Sequence, residues 1–185
     1  MIKMLWDLGT RKIVVKVVYF GCAMSGKTTS LQYIFEKFGK KIQSIETREG
    51  RTLFFDWGSI SIQKGQWKFQ IELWSATGQN FYAETRPTVL SGVDGIVFVA
   101  DSQLQLMEDN KASWNELNLL LGDKRKEIPI VIALNKRDFP NAISINEFKK
   151  LIGLENSLEL FETIATQGIN VMEIFKALIE RVFNH

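Results

Sequence analysis

Gly21-Cys22-Ala23-Met24-Ser25-Gly26-Lys27-Thr28 follows the apolar run Ile13, Val14, Val15, Val17, Val18, Tyr19 and Phe20. A helical-looking segment, Thr28 to Phe38, comes next. A glycine-rich loop between a strand and a helix, ending in Gly-Lys-Thr, is a phosphate-binding loop. Its successive backbone N–H groups point at a polyphosphate, and the helix N-terminus adds partial positive charge. Lys27 is placed to reach the β- and γ-phosphates, and the Thr28 hydroxyl to sit on Mg²⁺. Gly21, Ala23, Met24, Ser25, Gly26 and Thr29 complete the candidate contacts of this segment. All four fixed positions and both flanks fit, which argues against a chance glycine-rich turn.

Further along, Asn135-Lys136-Arg137-Asp138 directly follows the apolar run Ile130 to Leu134. A side-chain amide can read the O6 and N7 edge of a purine. A carboxylate can accept from guanine N1–H and the 2-amino group, donors that adenine lacks, so Asp138 is the candidate specificity residue. Four such letters alone also make ordinary solvated turns. Their position at a strand end, after a phosphate loop, gives them weight. A third segment, Glu162-Thr163-Ile164-Ala165-Thr166-Gln167-Gly168-Ile169-Asn170-Val171, offers the Ala165 N–H to the guanine O6. Thr166 joins Asn135, Lys136, Asp138 and Ala165 among the candidate base contacts.

Around these motifs the chain alternates strand and helix. Ile13–Phe20 reads as a strand, and Leu53–Gln63 and Trp67–Trp74 flank a hairpin loop at Lys64-Gly65-Gln66. Gly95–Ala100 and Ile130–Leu134 are nearly continuous apolar runs, as strands covered on both faces require. Phe161–Ala165 is a weaker last strand. Met107, Trp114, Leu117 and Leu121 recur at helical spacing, as do Val171, Ile174, Phe175, Leu178 and Val182. The expected fold is α/β: a mostly parallel six-stranded sheet with one antiparallel strand and helices on both faces. Ligands on such sheets bind beyond the carboxyl ends of the strands, where every motif above falls.

The bulk composition narrows the function classes. At 185 residues, 45% hydrophobic and 24% charged, the chain matches one globular domain spanning 1–185, with 1–11 as a short N-terminal extension. A net charge of +2 without a Lys/Arg block gives no nucleic-acid footprint. The one cysteine, Cys22, excludes an internal disulfide. The first residues lack a signal-peptide core, Ile2 excludes a myristoylation signal, and Val182-Phe183-Asn184-His185 is no prenylation box. A cytoplasmic protein is expected, peripheral to the membrane at most. The apolar cluster Met1, Ile2, Met4, Leu5, Trp6 and Leu8 is short for a surface anchor, so packing against the domain is expected.

The three motifs, in this order and spacing, resemble the Ras superfamily of small GTPases. Residues 26–34, 51–56, 92–103 and 135–142 are similar to the prokaryotic MglA group, the polarity switch of gliding bacteria. The likeness covers nearly the whole chain. It implies a P-loop fold and a molecular switch that hydrolyses GTP to GDP and phosphate with Mg²⁺. It also implies an unknown effector and a roadblock-type activating homodimer, as MglB is for MglA. Thr52 matches the threonine that reaches Mg²⁺ and the γ-phosphate, so Thr28 and Thr52 are the expected metal ligands. Arg51 matches an internal arginine finger, and Gln79, after Gly78, matches the glutamine that orients the attacking water. Gln79, Arg51 and Lys27 are therefore the expected catalytic residues, with Gly78 touching the nucleotide. Phe81, Tyr82 and Arg86 continue this second switch segment.

Three positions depart from the superfamily pattern. Ser75 stands where Asp-x-x-Gly has its aspartate, so Asp56 or Asp101 is expected to substitute, or Mg²⁺ to bind more weakly; the MglA group shares this loss. Ala23 stands where glycine is usual, which predicts slow hydrolysis and keeps open a GTP-loaded scaffold with negligible turnover. Ile164 replaces a small polar residue, with little effect where the backbone does the binding. A P-loop ATPase or nucleoside kinase is the remaining alternative, and Asp138 argues against it.

Overall fold

The computed structural model describes residues 5–7, 9–46, 52–78 and 84–184. All six expected strands are present: β2 (Lys12–Phe20), β4 (Thr52–Lys64), β5 (Trp67–Ala76), β6 (Gly95–Asp101), β7 (Ile130–Asn135) and β8 (Leu160–Glu162). Two short strands, β1 (Leu5–Asp7) and β3 (Gln43–Glu46), extend the sheet. The order is β3-β4-β5-β2-β6-β7-β8, with β1 on β2. Of the six, only β4 runs antiparallel to its neighbour β5; β2, β5, β6, β7 and β8 pair in parallel. β5 pairs along nearly all of β2, whereas β6 takes only Val17–Phe20, so β1 fits beside Lys12–Val14 on the side that β6 leaves open. The segment Leu5–Asp7 is thus part of the sheet. The Asp7 carboxylate shapes the connecting turn, accepting from Gly9 N–H, Thr10 N–H and the Thr10 hydroxyl.

Strand alternation divides the apolar residues between two core layers. On one face, Val97 and Val99 of β6 meet α1 (Lys27–Lys37) and α5 (Val171–Asn184) through Leu31, Phe35, Ile174 and Leu178. On the other, Ile96, Phe98 and Ala100 meet α2 (Arg86–Leu90), α3 (Met107–Leu121) and α4 (Ile145–Ile152) through Val89, Trp114, Leu117 and Phe148. At the 25 cal/mol per Å² typical of buried apolar surface, each such side chain contributes about 1.5–3 kcal/mol. The central strands therefore hold the loop ends that follow them.

Two helices and one strand end differ from expectation. α4 was not expected, although Ser144 and Glu147 spell its start: the Ser144 hydroxyl accepts from Glu147 N–H at 3.2 Å, half of a capping box. α2 begins beside Pro87, which fits a first turn that needs no donor. The last strand stops at Glu162 instead of Ala165, because the chain curls away there. Ala165–Gln167 form a 3₁₀ turn, and Ile164 bridges to Ile169.

Candidate guanine-nucleotide site

The site lies at the carboxyl ends of β2, β6 and β7. The phosphate loop leaves β2 at Gly21, buried against the end of β6: a Cβ at Gly21 would sit 2.0 Å from the Val99 carbonyl oxygen. Gly26 (φ 106°) turns the chain into α1, and a Cβ there would sit 2.1 Å from Asn135 Nδ2. Glycine is required at 26 on both counts. Between them Ala23 and Met24 are exposed, Met24 at 87% in left-handed geometry (φ 59°), while Ser25 is buried. Thr28 and Thr29 lie half-buried in the first turn of α1.

Lys27 is buried and folded over its own loop, donating to the Gly21 carbonyl at 2.9 Å and the Cys22 carbonyl at 2.6 Å. Burial pushes its pKa down to about 8, against smaller opposing contributions from Cys22 and Asp56. Its charge is thus held close to the loop and short of a counter-ion, which a polyphosphate supplies.

The loop is tied to the base end by one side chain. Asn135 is buried; its Nδ2 donates to the Ser25 carbonyl at 2.8 Å, and its Oδ1 accepts from Ala165 N–H at 2.9 Å and from the Thr163 hydroxyl at 3.1 Å. Its amide thus first builds the pocket, and the Ala165 N–H expected on the base is engaged by it. The curl after β8 follows from this bond, which takes the N–H away from the sheet. Lys136 has φ 64°, and its ammonium pairs with Asp101 at 2.6 Å. Arg137 braces the neighbouring loops, donating to the Ile143 carbonyl and pairing with Glu162 at 2.7 Å. Asp138 and Thr166 are exposed at the rim.

At the phosphate end, the Thr28 hydroxyl donates to the buried Asp56 carboxylate at 2.5 Å. Asp56 of β4 lies directly across the ladder from Ser75 of β5. Of the two carboxylates expected near this place, Asp56 thus faces position 75 and meets the Thr28 hydroxyl, whereas Asp101 pairs with Lys136. Gly78 packs on the phosphate loop itself: a Cβ there would lie 2.4 Å from the Ala23 nitrogen. Thr52 opens β4; Arg51, Gln79, Phe81 and Tyr82 lie outside the described residues.

Two further groups belong to the site. Asn110 of α3 is fully buried; its Oδ1 accepts from the Cys22 thiol at 3.3 Å and from Asp101 N–H at 3.0 Å, and its Nδ2 donates to the Asp101 carbonyl at 2.8 Å. It fastens the phosphate loop to the end of β6. The signal was an asparagine inside the apolar stripe Met107, Trp114, Leu117 and Leu121. Arg86, also buried, donates to the Thr77 carbonyl at 2.9 Å and pairs with Glu116 of α3. It anchors the far end of the second switch segment.

A profile of the ADP-ribosylation factor family matches residues 1–182. The chain belongs to this family of small GTPases. Among curated relatives, the mutual gliding-motility protein MglA of Myxococcus xanthus (strain DK1622) is 39% identical over 184 residues, covering 95% of this chain and 94% of that protein. The Ras-related protein RABG3d of Arabidopsis thaliana is 24% identical over 182 residues, 95% of this chain and 85% of that one. The human ADP-ribosylation factor-like protein 4A is 26% identical over 140 residues, 75% and 66% of the two chains. As a member of this family the chain is a GTP-hydrolysing molecular switch that binds GTP and GDP. No helix among the described residues is long and apolar enough to cross a membrane.

Proposed function

We propose that the chain is a single-domain switch of the motility or polarity type, with GTP lying across the ends of β2 and β7. The likeness to MglA of Myxococcus xanthus supports that assignment. The observation that carries the nucleotide reading is the Asn135 strut, which joins the phosphate loop to the Ala165 turn in one buried amide. Its second Nδ2 hydrogen is the donor for a purine ring nitrogen, and the exposed Asp138 carboxylate accepts from the two guanine donors.

Thr28 and Asp56 form a pair of hard oxygens that fits Mg²⁺, which takes one or two protein oxygens together with phosphate and water. Bound there, Mg²⁺ would neutralise charge on the β- and γ-phosphates. Thr28, Asp56 and Thr52, at the start of β4, would hold the ion. Lys27 leaves its loop carbonyls for the phosphates. Gln79 orients the attacking water, and Arg51 stabilises charge on the transferring phosphoryl group. The Ala23 methyl crowds the same space, so unassisted turnover is slow. A roadblock-type homodimer like MglB accelerates it. This switch acts in the cytoplasm through an effector still to be identified.

The test is competition between GTP and ATP for the purified chain, repeated with Asp138→Asn. Guanine preference should fall on the order of 10⁴-fold in the variant, with xanthosine triphosphate gaining. Equal binding of ATP and GTP by the unchanged protein overturns the reading.

A further inference from the structure

The turn that meets the Asn135 amide is also gripped from behind, by a side chain of the helix that begins at the phosphate loop. Tyr33 lies in α1 about 9 Å beyond Lys27 along the helix axis, at 1.5 Å per residue. Leu31, Ile34 and Phe35 of α1 are buried, and Tyr33 flanks them half-buried, packed against the same core. Its ring rests on Gly168. A Cβ at Gly168 would lie 2.0 Å from Tyr33 Cε2 and Cζ and 2.4 Å from the hydroxyl oxygen, and φ there is 72°. The left-handed backbone and the ring over it both select glycine at this position. One turn further along α1, Lys37 Nζ lies 5.0 Å from the centre of the Tyr33 ring, so the helix itself steadies the ring.

Gly168 belongs to a closed turn. Ile164 N–H donates to the Ile169 carbonyl at 3.2 Å, Ile169 N–H to the Ile164 carbonyl at 3.1 Å, and Gly168 N–H to the Ala165 carbonyl at 3.2 Å. Asn170 Nδ2 ties the same turn to the Glu162 carbonyl at 2.7 Å. A turn bonded across its own mouth shifts as one body, so the surface under Gly168 sets the position of Ala165. Ala165 N–H in turn holds Asn135 Oδ1 at 2.9 Å. The side-chain amide is planar, so fixing its oxygen also aims its nitrogen. The path from ring to turn to amide consists of direct contacts and hydrogen bonds throughout.

We propose that Tyr33 is a positioning residue for the purine ring: it seats the Ala165 turn, which aims the Asn135 amide at the ring nitrogen N7. This rests on the reading of Asn135 as the donor to that nitrogen. α1 then serves both ends of the site, with Lys27 and Thr28 at its start and the support of the base turn on its flank. Asp138 fixes which base is accepted, and Tyr33 fixes how well the accepted base is aligned.

The experiment is competition of GTP and 7-deaza-GTP, which carries a C–H in place of N7, against a fluorescent GDP on the purified chain. The unchanged protein should prefer GTP roughly tenfold, the worth of one hydrogen bond whose loss leaves a buried donor unpaired. In Tyr33→Ala that preference should shrink to within about twofold of unity, because GTP loses affinity while 7-deaza-GTP, which makes no use of the aimed donor, changes little. Tyr33→Leu keeps an apolar side chain on the flank of α1 and should give the same result with less loss of packing. Tyr33→Phe keeps the ring and should behave as the unchanged protein. Gly168→Ala drives a methyl group into the ring and should cost the same preference, with little further loss when combined with Tyr33→Ala. A purely packing role for Tyr33 would weaken both nucleotides alike. Equal weakening, or an intact preference, in Tyr33→Ala and Tyr33→Leu overturns the proposal and leaves the base site standing, as does loss of the preference in Tyr33→Phe. No preference in the unchanged protein overturns the Asn135 reading and the proposal with it.

Discussion

The two ends of the nucleotide site are built on opposite plans. At the base end, the Asn135 amide joins the Ser25 carbonyl, the Thr163 hydroxyl and the Ala165 N–H in buried hydrogen bonds, and Lys136 pairs with Asp101. At the phosphate end, Lys27 is turned back on loop carbonyls, and Asp56 meets the Thr28 hydroxyl. One end is a finished socket and the other holds its charges in provisional contacts. On the proposed reading the difference separates recognition from response: the base end would identify the nucleotide, whereas the phosphate end would register how many phosphates it carries. Only groups that change partners on binding can report that number.

The widest test of this division is catalytic. Arg51→Ala should lower partner-stimulated hydrolysis by roughly 10³–10⁵, the value of an engaged arginine finger, while GTP affinity stays within a few-fold. Single-turnover phosphate release with equilibrium binding on the same preparation checks both halves. Full stimulated activity in the variant would transfer the finger to the partner. A smaller effect is expected from Asp56→Asn. Outer-sphere groups at metal sites are typically worth 10–100-fold in metal affinity. The Mg²⁺ concentration that half-protects bound GDP from release should therefore rise by about that factor. The preference for guanine over adenine should not move; if it falls as well, the two ends are not separable.

The smallest effect concerns pH. Burial places the Lys27 pKa at about 8 in the free protein. Adjacent phosphates favour the charged form and raise it, so above pH 8 nucleotide binding takes up a proton. Affinity should be flat below pH 8 and fall above it, at a slope approaching tenfold per unit, until the pH reaches the bound-state pKa. GTP should show this, and Lys27→Met should bind weakly with no such slope. Calorimetry in buffers of different ionisation enthalpy between pH 8 and 9.5 measures the proton directly. Proton release, or a GTP affinity that rises above pH 8, would show that Lys27 is not the group facing the phosphates.

Much of this was legible in the residues because the relevant signals are contiguous. The phosphate loop and the Asn135–Asp138 turn are continuous segments, and fully apolar runs such as Gly95–Ala100 can only be covered strands. β1 and β3 were missed because three or four residues carry no period to read. Residues that act across the fold were harder. Asp56 faces Ser75 through strand pairing, although counting back from the Lys64–Trp67 pair that closes the hairpin brings them together. Asn135 was read as a base contact, and its larger structural share needed the positions of Ser25 and Ala165, far apart in sequence. Nothing local marks Arg86 as buried; an arginine two residues into a loop-to-helix boundary reads as solvated until α3 covers it.

The Asn135–Ser25 bond joins residues 110 apart in the chain. Its third partner, Ala165, lies a further 30 residues on. During synthesis the phosphate loop emerges first, and the amide that braces it and the turn that orients that amide emerge 110 and a further 30 residues later. Contacts of such separation form late, after the intervening loop has been closed. A half-made chain therefore has a loop rich in phosphate donors and no socket to hold a nucleotide in place. GTP or GDP is then expected to stabilise only a chain in which this strut has formed, so its capture would report that the distant segments have met.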